Sequence, residues 1–322
     1  MVMSKEATAP QALGSRIDVH GHYMPPAYKE ALARHGMTDK LDGFPAPQWD
    51  EEIQDRYMAG ANITQAVLSI SSPLAYWGDI AETVEVVCAC NDYGADYHKR
   101  RPDIIACGAL PLPDVDASVS EVRRCRDRLG IRQFSILTNS AGIYLGDKRL
   151  APLMEELDLE PTTLVIHPTS PAAIVPGVNE GLPIPAMEFF FDTTRAVTSL
   201  ILGGDVHRYP NVRFLVPHAG AFLPVLSDRL DNLAHMLHFE GVDVWGDMAA
   251  LYYDLAGMAM PKQYGLLRQV TDLSHIMYGS DGPFTPLSGV IHLAADMDAA
   301  LDDATAEQVY RQNPQNLFDL CA

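Results

Sequence analysis

Positive charge is scarce in this chain of 322 residues: 23 Lys and Arg stand against 42 Asp and Glu, a formal net charge of −19. That balance argues against nucleic acid and anionic membrane as partners, because both are held by clustered Lys and Arg. An anionic substrate stays open, since one metal ion or one well-placed Arg reverses the field locally. Cysteine is sparse as well, with five residues at 88, 90, 107, 125 and 321. Cys88 and Cys90 on a helix would face apart and make a poor metal pair. An odd count in apolar surroundings reads as reduced, buried thiols rather than a disulfide framework. No apolar run reaches the roughly 18 residues that span a bilayer. Residues 1–16 lack the apolar core of a signal peptide, so a disordered leader is expected there. A soluble, cytoplasmic protein follows from these absences. No Gly-rich phosphate loop succeeds the first apolar run, which argues against a doubly wound nucleotide-binding sheet.

What is present is a regular alternation. Apolar residues make up 48% of the chain. Short β-rich runs at 17–22, 65–71, 104–110, 133–137, 163–168, 212–218, 250–255 and 275–281 are separated by helical patterns near 52–60, 79–100, 115–129, 149–158, 187–204, 221–238, 262–270 and 290–300, with a last one near 305–312. Near-continuous hydrophobic strands separated by helices indicate a parallel sheet covered on its outside. Eight such units predict a closed (β/α)8 TIM barrel over 17–322, as one domain. The stretch 23–51, broken by Pro25, Pro26, Gly36, Gly43, Pro45 and Pro47, is expected to be a small insertion over the barrel mouth. The proline-rich stretch 169–186 is similar in kind.

Active sites of such barrels sit at the carboxyl ends of the strands. The first strand ends His20-Gly21-His22, the fifth in His167, the sixth in His218, and the eighth runs to Asp281. Four of the eleven histidines therefore fall at predicted strand ends. His20, His22, His167 and Asp281 supply three nitrogens and a carboxylate, an open site for one zinc or manganese ion with water or substrate completing the shell. His218 is left nearby as a proton donor or acceptor. None of the six lysines lies in the fourth strand, Gln133 to Leu137, so the lysine-bridged pair of metals found in some barrels is not expected. One divalent ion per chain, zinc before manganese, and no organic cofactor is the expectation. Asp254, at the end of the seventh strand, is a candidate to orient a ligand histidine. Trp49, Tyr76 and Trp77 fall on mouth loops and are candidates to cover an aromatic ring.

This constellation resembles the amidohydrolase superfamily, and within it the decarboxylase branch that includes aminocarboxymuconate semialdehyde decarboxylase and the hydroxybenzoate decarboxylases. The resemblance runs over about 16–318. It is carried by Val19-His-Gly-His-Tyr-Met-Pro-Pro26, Leu68-Ser-Ile-Ser-Ser-Pro73, Gly108-Ala-Leu-Pro-Leu-Pro113, Ile166-His-Pro-Thr-Ser-Pro171, Pro217-His-Ala-Gly220 and Gly279-Ser-Asp-Gly-Pro-Phe284. The Ser-Ile-Ser-Ser-Pro, Tyr144-Leu-Gly-Asp147 and His-Pro-Thr-Ser-Pro segments look closest to 6-methylsalicylate decarboxylases. The resemblance implies a metal on His20, His22, His167 and Asp281, with His218 as the catalytic acid/base; the proton for the substrate is expected from Asp281 or through His218. It also implies Arg229 reaching a neighbouring subunit's site to bind substrate carboxylate, hence a homodimer or higher oligomer, and Phe284 packing on the substrate. The branch member acting on the muconate carries an arginine after the first strand; residues 41–50 here contain none. That departure argues against a dicarboxylic muconate substrate and fits an aromatic one. The expected reaction is non-oxidative loss of carbon dioxide from the carboxylate of a small aromatic acid with an ortho hydroxyl. The rivals are a metal-dependent hydrolase of the same superfamily, cleaving a lactone, amide or C–C bond, and a non-catalytic metal-binding barrel.

Overall fold

The computed structural model describes residues 14–178 and 181–320. Eight strands recur along it: β1 (Arg16–His22), β2 (Ile63–Ser69), β3 (Ile104–Ala106), β4 (Gln133–Leu137), β5 (Thr162–His167), β6 (Val212–Val216), β7 (Tyr252–Asp254) and β8 (Ile276–Met277). Each overlaps one of the eight predicted runs, with three of them starting one or two residues earlier. They pair in parallel as β1–β2–β3 and as β4–β5–β6–β7–β8. Two seams join these sets into a ring. Between β3 and β4, the Gly108 amide donates to the Gln133 carbonyl at 2.9 Å and the Ser135 amide to the Gly108 carbonyl at 2.9 Å. Between β8 and β1, the Val19 amide donates to Tyr278 at 3.0 Å and the His22 amide to Gly282 at 2.7 Å. The ring has the (β/α)8 barrel form.

Val19, Val67, Ile105, Val165, Leu215 and Met277, one from each of six strands, pack together as the barrel interior, with Leu317 of the last helix beneath them. A larger apolar layer fills the space between strands and helices. The abundant acid is used partly at helix starts. Asp50, Asp114 and Asp302 each accept an amide of the first turn, at 2.7, 2.9 and 2.8 Å, which suits the positive end of the helix dipole.

Three helices escaped the periodicity: Pro26–Arg34, Asp205–Arg208 and Val244–Ala250. Pro25 and Pro26 read as breakers, yet Pro26 opens the first of these helices, where its missing amide costs nothing. The 23–51 stretch thus consists of that helix followed by a hairpin, Lys40–Leu41 with Phe44–Pro45. The expected terminal helix at 305–312 falls in the first two of three consecutive helical segments, Asp303–Glu307, Gln308–Gln312 and Asn313–Phe318. Residues 1–13 of the expected leader lie outside the described residues. Arg16 does not belong to a leader. It opens β1 fully buried, with its guanidinium 3.0 and 2.9 Å from the Asp298 carboxylate oxygens and 4.6 Å from the Tyr310 ring centroid.

Candidate metal centre and active-site cavity

β1 delivers His20 and His22, β5 ends in His167, and the turn after β8 supplies Asp281. One donor atom from each lies within 4.8 Å of the others, so this group could hold a metal ion. The far nitrogen of every imidazole is already engaged. His20 Nδ1 is 2.8 Å from Asp254 Oδ2, His22 Nδ1 is 3.3 Å from the Ser69 carbonyl, and His167 Nδ1 is 2.7 Å from the Pro168 carbonyl. These oxygens only accept, so each Nδ1 carries the hydrogen and each Nε2 presents a lone pair inward. His20 Nε2 and His22 Nε2 are buried without a hydrogen-bond partner, 3.7 and 3.2 Å from Asp281 Oδ1. Lone pairs facing a carboxylate out of water repel one another unless a cation stands between them. The residues therefore fit one divalent ion with three nitrogens and one oxygen.

The electrostatics point the same way. Burial lowers the pKa of His22 and, more strongly, that of His167, keeping both imidazoles neutral. Burial alone would raise Asp281, but its contact with His22 and the charge of His20 hold it below the usual carboxylate range. Burial likewise opposes charge on His20, yet Asp254, Asp281 and Asp18 outweigh it and raise its pKa to about 9. These acids thus favour positive charge at the inward nitrogen of His20, carried by a proton or by a metal ion in its place.

Buried acceptors hold the ligands in place. Asp254, fully buried, takes His20 through Oδ2, while its Oδ1 accepts the His218 and Ala256 amides at 3.0 Å each. Asp18 accepts the His20 and Ser280 amides at 3.0 Å each and the Ser280 hydroxyl at 2.5 Å, tying β1 to the turn that carries Asp281. Asp281 itself sits at φ 56, the left-handed region, secured by its amide's bond to the His20 carbonyl at 2.8 Å. Gly279 admits that close approach, since a Cβ there would lie 2.7 Å from the His20 Cβ. Asp18 drew no notice in the sequence, although a charge inside an apolar strand was the available signal.

His218 follows β6 in a strained turn, with φ 55 at His218, 52 at Ala219 and 53 at Ala221. Its ring centroid is 5.1 Å from that of His20 and stacks on Phe190 at 5.7 Å. Burial lowers its pKa. A cavity of about 650 Å³ opens in front of this group, with Ser71, His167, His218, Asp281 and Phe284 on its wall. Phe284 meets the His22 ring edge to face at 5.4 Å.

The structure thus brings together His20, His22, His167, His218, Asp281 and Phe284. It does not bring Arg229 to this chain's own cavity: Arg229 is exposed on the Leu223–Met236 helix. Trp49 does not cover the mouth either, being buried against Tyr23, Tyr93 and Tyr97. Trp77 stacks on His35, and Tyr76 lines a separate cavity. Sequence reasoning missed Phe189, Phe190, Leu41 and Phe44 in the wall. Nothing in their local pattern distinguishes them from core residues.

A closed ring of eight strands with a His/His/His/Asp donor set at its carboxyl mouth defines the metal-dependent (β/α)8 barrels. The comparisons give the family. The amidohydrolase profile matches residues 17–320, and the chain belongs to the amidohydrolase family. Decarboxylase yanB of Aspergillus niger is 32% identical over 294 residues, covering 85% of this chain and 79% of that protein. The 6-methylsalicylic acid decarboxylase acuB of Aspergillus aculeatus is 27% identical over 94% of this chain and 96% of its own length. A crystal structure of an amidohydrolase II protein superposes with a TM-score of 0.91 at 34% identity, over 95% of this chain and all (100%) of that one.

Proposed function

We propose that the protein is a metal-dependent, non-oxidative decarboxylase of a small aromatic acid with an ortho hydroxyl, of the 6-methylsalicylate type. The observation that carries this is the inward-facing set of His20, His22, His167 and Asp281 at the end of a largely apolar cavity, in a chain whose relatives include named decarboxylases. A divalent ion, zinc or manganese, would supply Lewis acidity and a template for the substrate. His20, His22, His167 and Asp281 would hold it, with Asp254 fixing the His20 tautomer. Phe284 and Phe190 flank the space where the ring lies. A proton drawn from solvent reaches the ring carbon that bears the carboxylate by way of Asp281 or through His218, both on the cavity wall. The carbon–carbon bond electrons stay with the ring, carbon dioxide leaves, and the new C–H bond takes the added proton. The apolar wall favours that loss by keeping water from the carboxylate.

The reading extends to a homodimer in the cytoplasm. Arg229 lies on a helix beside the exposed Val225, Leu233 and Met236, a stripe at helical spacing that suits a subunit interface. Cys88, Cys90, Cys107 and Cys125 are unpaired, as in a reducing compartment. Among the described residues no helix is long and apolar enough to cross a membrane. The test is to load the protein with zinc or manganese, offer a panel of ortho-hydroxybenzoates, and follow the phenols by chromatography. Phenol formation abolished by chelation is expected. Metal bound at one per chain with no phenol from any acid would refute the reading.

A further inference from the structure

The cavity in front of the donors is larger than a methylsalicylate needs. Its volume of about 650 Å³ falls among pockets that enclose drug-sized ligands, about 300–1,000 Å³. A methylsalicylate brings only a single ring, a methyl, a hydroxyl and a carboxylate. Beyond His167, His218 and Asp281, the wall continues over Leu41, Phe44, Phe189, Pro185, Met258 and Leu293. These are apolar and come from four separate segments of the chain. Met258 stands 70% exposed within this wall, an apolar surface left facing open space. Among the described residues the wall includes no Lys or Arg. Apart from Asp281, its one acid among the described residues is Asp42, which accepts the Ser170 hydroxyl at 2.7 Å and adds negative potential. Ser72, Gln263, Thr285 and His292 add polar groups to the wall, and His292 is exposed and paired with Asp296 at 3.4 Å.

We infer that the substrate carries, besides its carboxylate and ortho hydroxyl, an uncharged apolar substituent of several carbons seated between Phe44 and Phe189 on one side and Met258 and Leu293 on the other. This rests on the decarboxylase reading above and narrows its substrate class. A second carboxylate on the substituent would meet Asp42 and no Lys or Arg of this chain's described wall. A methylene withdrawn from water contributes about 0.8 kcal/mol, a factor of about four in kcat/KM for each carbon accommodated.

The experiment uses the metal-loaded enzyme and salicylates bearing alkyl chains of rising length at ring position 4 or 6. Both kcat/KM and calorimetric affinity are measured for each acid. At least one series is expected to gain about fourfold per methylene until the cavity is filled, and a chain ending in a carboxylate should fall below the methyl compound. Met258→Glu, at an exposed position, should lower the preference for long over short chains. Turnover of methylsalicylate with both series flat or falling would overturn the inference and leave the decarboxylase standing. Affinity that climbs along a series without any phenol would keep the pocket assignment and sink the decarboxylase. Flat affinity without phenol would sink the pocket assignment as well.

Discussion

Replacing Asp254 with Asn tests whether the inward lone pairs are a metal site, because the change keeps the shape and alters one hydrogen. The carboxylate accepts from three donors: His20 Nδ1 at 2.8 Å, and the His218 and Ala256 amides at 3.0 Å. An amide cannot accept on both sides. If its oxygen serves the two backbone amides, its NH2 faces His20 Nδ1, and His20 must move its hydrogen to Nε2, where the metal would bind. If it flips, two backbone amides face an NH2. Loss of such an orienting partner costs about 10–100-fold in metal affinity, roughly 1.4–2.7 kcal/mol. Asp254→Ala is the contrast. It leaves two buried amides unpaired at about 1–3 kcal/mol each, so it should lower stability in the metal-free state as well. Competition against a chromophoric chelator reads the affinity, and thermal melting with circular dichroism reads the fold. An Asp254→Asn protein with wild-type fold and wild-type metal affinity would refute the tautomer argument and the ligand role of His20 with it.

Three more outcomes are expected. His218→Asn should lower kcat by about 10²–10⁴-fold while metal content by atomic emission stays at the wild-type level; loss of metal would make His218 a ligand instead. Gly279→Ala places a Cβ 2.7 Å from the His20 Cβ, so it should destabilise by about 1–3 kcal/mol and lower metal occupancy in the folded fraction; a neutral melt would show that β8 can shift. Glu121, 4% exposed, accepts from Arg124, Asn91 and Cys88. Burial alone would raise its pKa, but those partners outweigh it and hold it below the ordinary 4.5. Its contribution is therefore complete above about pH 5 and fades as pH falls through the depressed value. Glu121→Gln should cost about 2 kcal/mol at neutral pH and progressively less below pH 4 by urea titration; a penalty independent of pH would refute the charge argument.

The order of elements was legible because a parallel strand buried on both faces writes itself as a short continuous apolar run, and each of eight such runs holds a barrel strand. His20, His22, His167, His218 and Asp281 were legible because chemistry in such barrels collects at strand ends. The helix Pro26–Arg34 was not, since a proline that breaks one helix opens another and only the chain's path tells which. Trp49 was misplaced for a related reason. A mouth loop and a core layer use the same aromatic residues, and here the ring packs on Tyr93 and Tyr97 of the Ile80–Arg100 helix.

From sequence alone, then, came the class of fold, the donor types and their positions on the strands, all set by local spacing and strand order. Only the tertiary structure decided which oxygens lock each imidazole, that Asp18 and Asp254 bridge strands 262 and 234 residues apart from the groups they hold, and that Arg229 stays outside its own chain's cavity. The physical reason is distance along the chain. A hydrogen bond between residues on opposite sides of a ring leaves no periodic trace in either segment. The width of a cavity is set by side chains from segments that meet only when the ring closes.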